Sequence, residues 1–379
     1  MQRIALDYTP AHEQRGGIGR YVRELTAALA SIDTDSDYRL FVAGASHSSL
    51  PTSPAANFSW RPTRVTPRWL ARSWHRARIP LPVEVYTGRI DLFHATDFVL
   101  PPTLPATRSL LTVHDLSFLR VPEAASPPLK AYLDAVVPRS VARAKHILAD
   151  SHATKDDLIA FYGTPAEKIT VLYCGVDSQF QPVKDHDLLG ACRRKYGLDG
   201  VAYLLSVGTV QPRKNYSRVI EAVAAARQQG QNLHYAIAGG KGWLEDEMQQ
   251  TIDRLGAQQY VHLLGLADDA DLPALYSGAR ALVMASLYEG FGLPVLEAFA
   301  CGTPVISSNL SSLPEVAGEA ALLIDPYDIA GIVDAIVALE RQPILRQRLV
   351  QAGYARAARF TWRRSAQQLR SIYAALLED

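Results

Sequence analysis

Short runs of aliphatic and β-branched residues alternate with longer amphipathic stretches along most of this 379-residue chain. The runs Arg3–Tyr8, Tyr38–Gly44, Ile90–Thr96, Ser109–His114, His146–Ser151 and Lys168–Val176 have the length and composition of buried strands. A glycine-containing turn after the first run leads into a helix from about Gly19 to Ser31. Strands separated by helical patterns imply parallel sheets with right-handed crossovers. The rhythm breaks at Gln181–Gly200, a polar stretch with Pro182 and the charge cluster Lys184, Asp185 and Asp187, which reads as the segment between two domains. It resumes with strands over Tyr203–Val210, Leu233–Gly239, Val261–Leu264, Ala281–Ala285, Val305–Ser308 and Ala321–Ile324, and two last helices follow at about Ile344–Ala358 and Thr361–Leu377. The pattern predicts an α/β chain of two doubly wound domains, 1–182 and 183–358, with a terminal segment 359–379. Ligands of such sheets bind beyond the carboxyl ends of the strands. Two such domains facing each other would form one cleft with a different ligand on each wall.

Composition narrows the class without choosing the chemistry. The length suits two domains on a prior of roughly 150 residues each. Apolar content of 48% and charged content of 20% are those of an ordinary globular chain, and a net charge of +1 gives nucleic acid no support as a partner. Cys174, Cys192 and Cys301 lie far apart, which argues against a disulfide framework or a cysteine zinc site and fits a reducing compartment. The start, MQRIALDYTP, has no basic segment followed by an apolar one. No apolar run reaches the roughly 18 residues of a membrane span. The expected location is cytoplasmic, with peripheral contact at the inner face of the membrane left open.

Candidate chemistry concentrates in the second half. A strand ending at Ala285 leads into Ser286-Leu287-Tyr288-Glu289-Gly290-Phe291-Gly292 and then Leu293-Pro294-Val295-Leu296-Glu297. Pro294 suits a first helical turn, and a helix start there offers unpaired N–H groups and a positive dipole end to a phosphate. Glu297, expected in that first turn, accepts hydrogen bonds only and suits two vicinal hydroxyls such as a ribose's. A plain dipole-complementing glutamate and a solvated loop charge at Glu289 are the alternatives. Upstream, the strand Tyr203–Val210 runs into Gln211-Pro212-Arg213-Lys214-Asn215. Adjacent cations at a strand end suit a diphosphate and its stabilisation as a leaving group; a solvated basic turn is the alternative. A third loop, Gly239-Gly240-Lys241-Gly242-Trp243, could wall a nucleotide, a weak signal by itself.

In combination, Arg213-Lys214-Asn215 after a Val-Gly strand end, Glu289-Gly-Phe-Gly-Leu-Pro-Val-Leu-Glu297 and Ala298-Phe-Ala-Cys-Gly-Thr-Pro-Val305 resemble the family 4 retaining glycosyltransferases (glycosyl transferases group 1) over nearly the whole chain. The resemblance implies the GT-B fold, two Rossmann-like domains facing across a cleft. It implies an N-terminal acceptor-binding domain, a C-terminal nucleotide-sugar-binding domain and a terminal helix crossing back to the first. It assigns Arg213 and Lys214 to the donor diphosphate, Glu297 to the ribose and Glu289 to the transferred sugar, with backbone N–H groups around Phe291, Gly292, Leu293 and Pro294 meeting sugar and phosphates. Gly240 joins the donor wall.

On the other wall, Arg15-Gly16-Gly17-Ile18-Gly19-Arg20-Tyr21 follows the first strand. Its spacing is not the dinucleotide fingerprint, and a tight strand–helix connection would explain it. The resemblance implies instead a loop closing over donor phosphates and acceptor, with Gly16, Gly17 and Gly19 as its contacts. Val113-His114-Asp115 ends another strand; the resemblance places His114 against the transferred sugar. His94, Asp97 and His152, also at strand ends, are further acceptor-pocket candidates outside the catalytic set. Finally, Trp60–Arg78 interleaves six arginines with Trp60, Trp69 and Trp74 and no acid. That mixture suits anionic lipid or a lipid-linked diphosphate; a solvated helix with buried tryptophans is the alternative.

The resulting expectation is a retaining glycosyltransferase moving a hexosyl unit, mannose from GDP-mannose, to a glycan or lipid-linked acceptor hydroxyl in cell-surface polysaccharide synthesis. The Gly239–Leu244 stretch and the Ala-Leu-Asp-Tyr start resemble bacterial mannosyltransferases of polysaccharide assembly. No opposed pair of carboxylates suggests a glycosidase scheme, and no paired-acid motif asks for a metal, so metal-independent catalysis without a cofactor is expected. A UDP-hexose-dependent enzyme and a non-catalytic nucleotide-sugar-binding subunit are the rival readings.

Overall fold

The structure is a computed structural model that describes residues 1–14, 16–242 and 246–378. Arg15, Trp243 and Leu244, named above, lie outside the described residues. The chain divides into two compact units, the first built from Met1–Leu116, Pro127–Gly175 and the segment from Trp362 onward, the second from Ser117–Ser126 and Val176–Thr361.

The first unit holds a seven-stranded sheet of β1 (Arg3–Asp7), β2 (Asp37–Ala43), β3 (Phe58–Thr63), β4 (Leu92–Ala95), β5 (Arg108–Val113), β6 (His146–Ala149) and β7 (Ile169–Val171). Its order is β3-β2-β1-β4-β5-β6-β7, and every pairing is parallel. Helices cover both faces of such a sheet, so its central strands are largely buried; all four positions of β4 and five of the six of β5 are buried. The chain winds from β1 to β3 in one direction and then restarts beside β1 with β4. The resulting switch point, where ligands of open sheets bind, lies beyond the carboxyl ends of β1 and β4.

The second unit repeats this plan in a six-stranded parallel sheet of β8 (Tyr203–Val207), β9 (His234–Ala238), β10 (Val261–Gly265), β11 (Ala281–Met284), β12 (Val305–Ser308) and β13 (Ala321–Ile324). The order is β10-β9-β8-β11-β12-β13, which puts the switch point beyond β8 and β11. Val219, Ile220 and Val223 of helix Tyr216–Gln228 and Ile332 and Ile336 of helix Ile329–Arg341 pack with Tyr235, Ile237, Val283 and Ile306 of the sheet. Two parallel Rossmann-like sheets with intervening helices are the GT-B architecture.

Three features differ from the reading of the sequence. β3 was not anticipated; it is an edge strand, where Pro62 costs no needed ladder bond. The polar stretch 181–200 contains helix His186–Lys195, and the charge cluster read as a linker is its start: Asp185 caps it, accepting from the Asp187 and Leu188 N–H groups. The passage between units falls at Gly175/Val176 and not at 182/183. There Val176 forms a parallel bridge with Thr361 and donates its N–H to Phe360 O at 3.1 Å.

Helix Trp362–Glu378 belongs to the first unit although it comes last in the chain. Ser365 Oγ donates to Tyr173 O (2.6 Å) and Gln368 Nε2 to Val171 O (2.9 Å). Tyr373 Oη lies 2.8 Å from His94 Nδ1, whose other ring nitrogen is 2.8 Å from Thr112 Oγ1. Burial pulls the His94 pKa down to about 3, helped by the charge of His114. His94 is therefore a neutral core residue tying the last helix to β4 and β5, which removes it from the acceptor-pocket candidates. Among the described residues no helix is long and apolar enough to cross a membrane. Tyr373→Phe leaves a buried ring nitrogen without its partner, a loss of about 1–3 kcal/mol. At ~2–4 °C per kcal/mol for a unit of this size, calorimetry should record a melting point several degrees lower. An unchanged melting point would show that the tether carries no stability.

Candidate functional site

After β8 the chain passes Gly208 and makes a short 3-10 turn, Pro212–Lys214, before helix Tyr216–Gln228. Gly208 has φ +147°, and a Cβ there would stand 3.0 Å from Lys214 Cε. Glycine thus opens the room in which the Lys214 stem lies. Asn215, in the left-handed region at φ 60°, joins turn to helix. Its Nδ2 donates to Ala285 O (3.0 Å) and Pro326 O (2.8 Å), and its Oδ1 accepts from Arg218 Nη1. This one side chain pins the β8 turn to the end of β11.

The loop after β11 meets that turn. Leu287 N–H donates to Arg213 O at 2.8 Å. Arg213 Nη1 donates to Tyr288 O (2.9 Å) and Glu289 Oε2 (2.7 Å), while Lys214 Nζ donates to Glu289 Oε1 at 2.7 Å. Gln211, with its amide oxygen turned to the guanidinium, accepts from Arg213 Nε and Nη2. Glu289 N–H donates to Ser311 Oγ, and Ser312 Oγ lies within 2.9 Å of the Glu289 and Phe291 carbonyl oxygens. Glu289 and Lys214 are both buried. Burial pushes the Glu289 carboxyl up, but Arg213 and Lys214 together outweigh it and hold it at about 2. The carboxylate is ionised at every working pH, and the three groups form a closed triad of net charge +1. A solvated basic turn and a solvated loop glutamate are both ruled out by this burial.

Gly292 caps helix Leu293–Ala300, with Pro294 in its opening turn; Leu293 and Pro294 are half-buried and Phe291 is buried, its ring edge-on to Phe360. Glu297 is the fifth residue of this helix rather than part of its first turn. It is buried and accepts from Tyr276 Oη at 2.6 Å, so it is not a mere complement to the helix dipole. Gly240 follows β9; its carbonyl accepts from Val210 N–H at 3.1 Å, which brings the glycine loop against the β8 turn. All these residues lie in the second unit.

His114, Gly16, Gly17 and Gly19 lie in the first unit. Gly16 caps helix Gly17–Ala30, so Gly17 and Gly19 belong to its first turn and not to a free loop. A Cβ on Gly19 would fall 2.0 Å from Gln14 O; close backbone packing accounts for this glycine. His114, just past β5, also departs from expectation. Its Nε2 donates to Thr96 O (2.9 Å) and its Nδ1 donates to Asp150 Oδ2 (2.7 Å). Neither ring nitrogen is left for a sugar, and the resemblance-based contact is replaced by an internal ion pair. Burial pulls the His114 pKa down, but the Asp150 carboxylate, then Asp97 and the Thr96 carbonyl, raise it to about 9. Asp150 was missed in the sequence because the preceding strand was read through to Ser151; the strand stops at Ala149 and leaves Asp150 at its carboxyl end.

In the Trp60–Arg78 segment, Trp60 and Trp74 are buried and donate their indole N–H groups to Pro51 O and Leu81 O. Trp69 remains 62% exposed, with Arg72 stacked 5.3 Å from its ring. Arg64, Arg68, Arg76 and Arg78 are exposed around it.

Known proteins resemble this chain in sequence and in fold. The family model described as Glycosyltransferase Family 4 matches residues 15–180, and that of Glycosyl transferases group 1 matches residues 191–356. The chain is 31% identical over 380 residues to the O-antigen chain mannosyltransferase B of Escherichia coli, covering 95% of this chain and 96% of that one. The chain belongs to glycosyltransferase family 4. Over 243 residues this glycosyltransferase is also 32% identical to the O-antigen chain mannosyltransferase RfbU of Salmonella typhimurium, covering 64% of each. In fold it resembles the sucrose-phosphate synthase of Thermosynechococcus elongatus, with a TM-score of 0.78, 21% identity and 100% of both chains covered.

The ion pair of His114 makes a stability prediction for this enzyme. With a folded pKa of about 9 against ~6.5 unfolded, protonated His114 contributes its full stabilisation below pH ~6.5. That contribution is lost as the pH rises through 9. The melting-point gap between the wild type and His114→Gln should therefore be widest near pH 6 and shrink towards pH 9.5. A gap of constant size across this range would contradict the assignment.

Proposed function

We propose that this family 4 glycosyltransferase moves mannose from GDP-mannose to a hydroxyl of a glycan or lipid-linked acceptor in cell-surface polysaccharide synthesis, with retention at the anomeric carbon and without a metal. The observation that carries the reading is the Arg213–Lys214–Glu289 triad at the switch point beyond β8 and β11. It is a preformed cationic site whose own counter-charge a diphosphate can replace. The E. coli and Salmonella relatives, both O-antigen chain mannosyltransferases by name, support the choice of sugar and of pathway.

The diphosphate would rest on Arg213, Lys214 and the N–H groups at the start of helix Leu293–Ala300, with Phe291, Gly292, Leu293 and Pro294 lining it. Glu297 would hold the ribose, and Gly240 would bound the nucleotide. The C1–oxygen bond to the diphosphate breaks as a bond from the acceptor oxygen to C1 forms on the same face. The acceptor proton passes to the departing diphosphate oxygen. Arg213 and Lys214 neutralise the charge that develops there, the electrostatic role a metal would otherwise fill. Glu289, once displaced from the cations, faces the sugar.

A thermal-shift panel of GDP-mannose, UDP-glucose, UDP-N-acetylglucosamine and ADP-glucose tests the donor site. GDP-mannose should give the largest stabilisation. A larger shift with UDP-glucose would move the assignment to a UDP-hexose, and no shift with any would sink the donor-site reading. Lys214→Ala should lower turnover by about 100-fold or more in a folded protein, and chelator should leave the wild-type rate unchanged. Full turnover in the variant, or loss of activity to chelator, would contradict the charge-stabilising role.

The exposed arginines around Trp69 suit an anionic membrane surface carrying the acceptor, at ~1 kcal/mol per basic residue. Arg68→Glu or Arg72→Glu should each weaken sedimentation with phosphatidylglycerol-containing vesicles by about fivefold or more. Binding insensitive to both changes would place membrane contact elsewhere.

A further inference from the structure

Sheet order gives the first unit its own switch point, beyond β1 and β4, and the groups gathered there differ in kind from the cations of the second unit. Asp7 is the last residue of β1, and Asp97 stands two residues past the end of β4. Both are half-buried. Asp97 Oδ2 accepts a hydrogen bond from Gln14 Nε2 at 3.3 Å. The residue after it, Phe98, has φ 54°, a left-handed conformation that a bulky side chain adopts only under constraint and that gathers at functional sites. Its ring stands edge-on to His114, with centroids 5.6 Å apart.

Phe98 N–H donates to Thr112 O at 3.0 Å, and the His114–Asp150 pair holds the backbone one residue before Asp97. His114 Nε2 donates to the carbonyl of Thr96, the residue immediately before Asp97, and Asp150 Oδ2 holds the other side of the ring. Tyr21 packs its edge on the same ring at 5.0 Å. Asp150 is buried, yet its Oδ1 has no hydrogen-bond partner among the described residues. A buried carboxylate left half satisfied is costly to stability and calls for another reason to be there.

We propose that Asp97 receives a hydroxyl of the acceptor sugar, that the His114–Asp150 pair is the positioning pair that fixes Asp97 at the end of β4, and that the acceptor end bound there is uncharged. This inference rests on the glycosyltransferase reading and names the acceptor class of the first unit. An ionised carboxylate accepts hydrogen bonds from hydroxyls and repels a phosphate. With Asp7 beside it in the same crevice, the site favours a neutral, hydroxyl-bearing sugar over a phosphorylated one. Burial, the larger effect, raises the Asp97 carboxyl above its ordinary value, and the charge of His114 and the Gln14 hydrogen bond offset part of that rise. Asp97 takes no part in the covalent step: it orients the acceptor while the reacting proton goes to the diphosphate.

The full-length enzyme tests this with two readouts, nucleotide release from the donor alone and transfer to acceptor. The acceptors are a mannoside and the same mannoside carrying a phosphate. Wild type should release nucleotide and should transfer to the neutral mannoside at least about tenfold better than to its phosphate. Asp97→Asn should keep donor-only release and lose about 10- to 100-fold in kcat/KM for the neutral acceptor, on the scale of one hydrogen bond to a charged group. Asp150→Asn and His114→Gln should lower kcat/KM for the acceptor with KM for the donor unchanged. Both should also displace the pH profile of acceptor use. The titrating groups facing His114 and Asp150 are Asp97, Asp115, His94, Tyr21 and Cys174, so the displacement is read as a difference from wild type.

Circular dichroism and melting curves verify folding. If Asp150→Asn does not fold, Asp97→Asn alone decides. Unchanged acceptor kinetics in Asp97→Asn, or a preference for the phosphorylated acceptor, would overturn the inference while leaving the donor reading intact. Absence of nucleotide release from any donor by wild type would overturn both.

Discussion

Two adjacent cations held in a buried turn are the constraint around which the second unit is arranged. Arg213 and Lys214 are neighbours in sequence, and a buried charge is tolerated only where it is paired and hydrogen-bonded. Glu289 meets both at 2.7 Å, and the rest of the loop exists to bring it there: Asn215 fastens the β8 turn to the β11 end, Ser311 and Ser312 hold the backbone of Glu289, and Tyr288 O takes the remaining reach of the guanidinium. The net charge left over is positive. A ligand with two phosphate charges gains more from the pair of cations than one carboxylate does, and it can bind without leaving a buried cation unpaired.

The same topological rule places chemistry of opposite sign in the two units. Each sheet reverses its winding once, and each reversal opens a crevice at the strand carboxyl ends. In the second unit that crevice carries Arg213 and Lys214; in the first it carries Asp7 and Asp97 over the His114–Asp150 pair. A transferase needs a site for an anionic leaving group and a site for a hydroxyl nucleophile. The contrast between the crevices matches that division of labour better than any single residue does.

How much of this could be read from the chain depended on whether the signal was local. Strand runs such as Ala281–Ala285 and Ala321–Ile324 announced themselves because their residues are apolar throughout, and the Arg213-Lys214 and Glu289–Glu297 spacing was informative because both lie at strand or helix ends. β3 was missed because an edge strand with a proline and arginines carries little apolar signal. The helix His186–Lys195 was missed because its capping Asp185 and its polar faces read as linker. Glu297 falls just past the first turn because the helix begins at Leu293, one residue before Pro294. His114 was correctly located at a strand end, but its partners Asp150 and Thr96 stand just past two other strands, β6 and β4. Only three-dimensional pairing could show that both ring nitrogens are spent.

The most direct test of the central claim is a crystal structure of the enzyme with a guanosine diphosphate bound. Phosphate oxygens should lie within hydrogen-bonding distance of the Arg213 guanidinium and Lys214 Nζ, with Glu289 released from at least one of its two cations. A nucleotide bound elsewhere, with the Arg213–Lys214–Glu289 triad still closed, would contradict that claim.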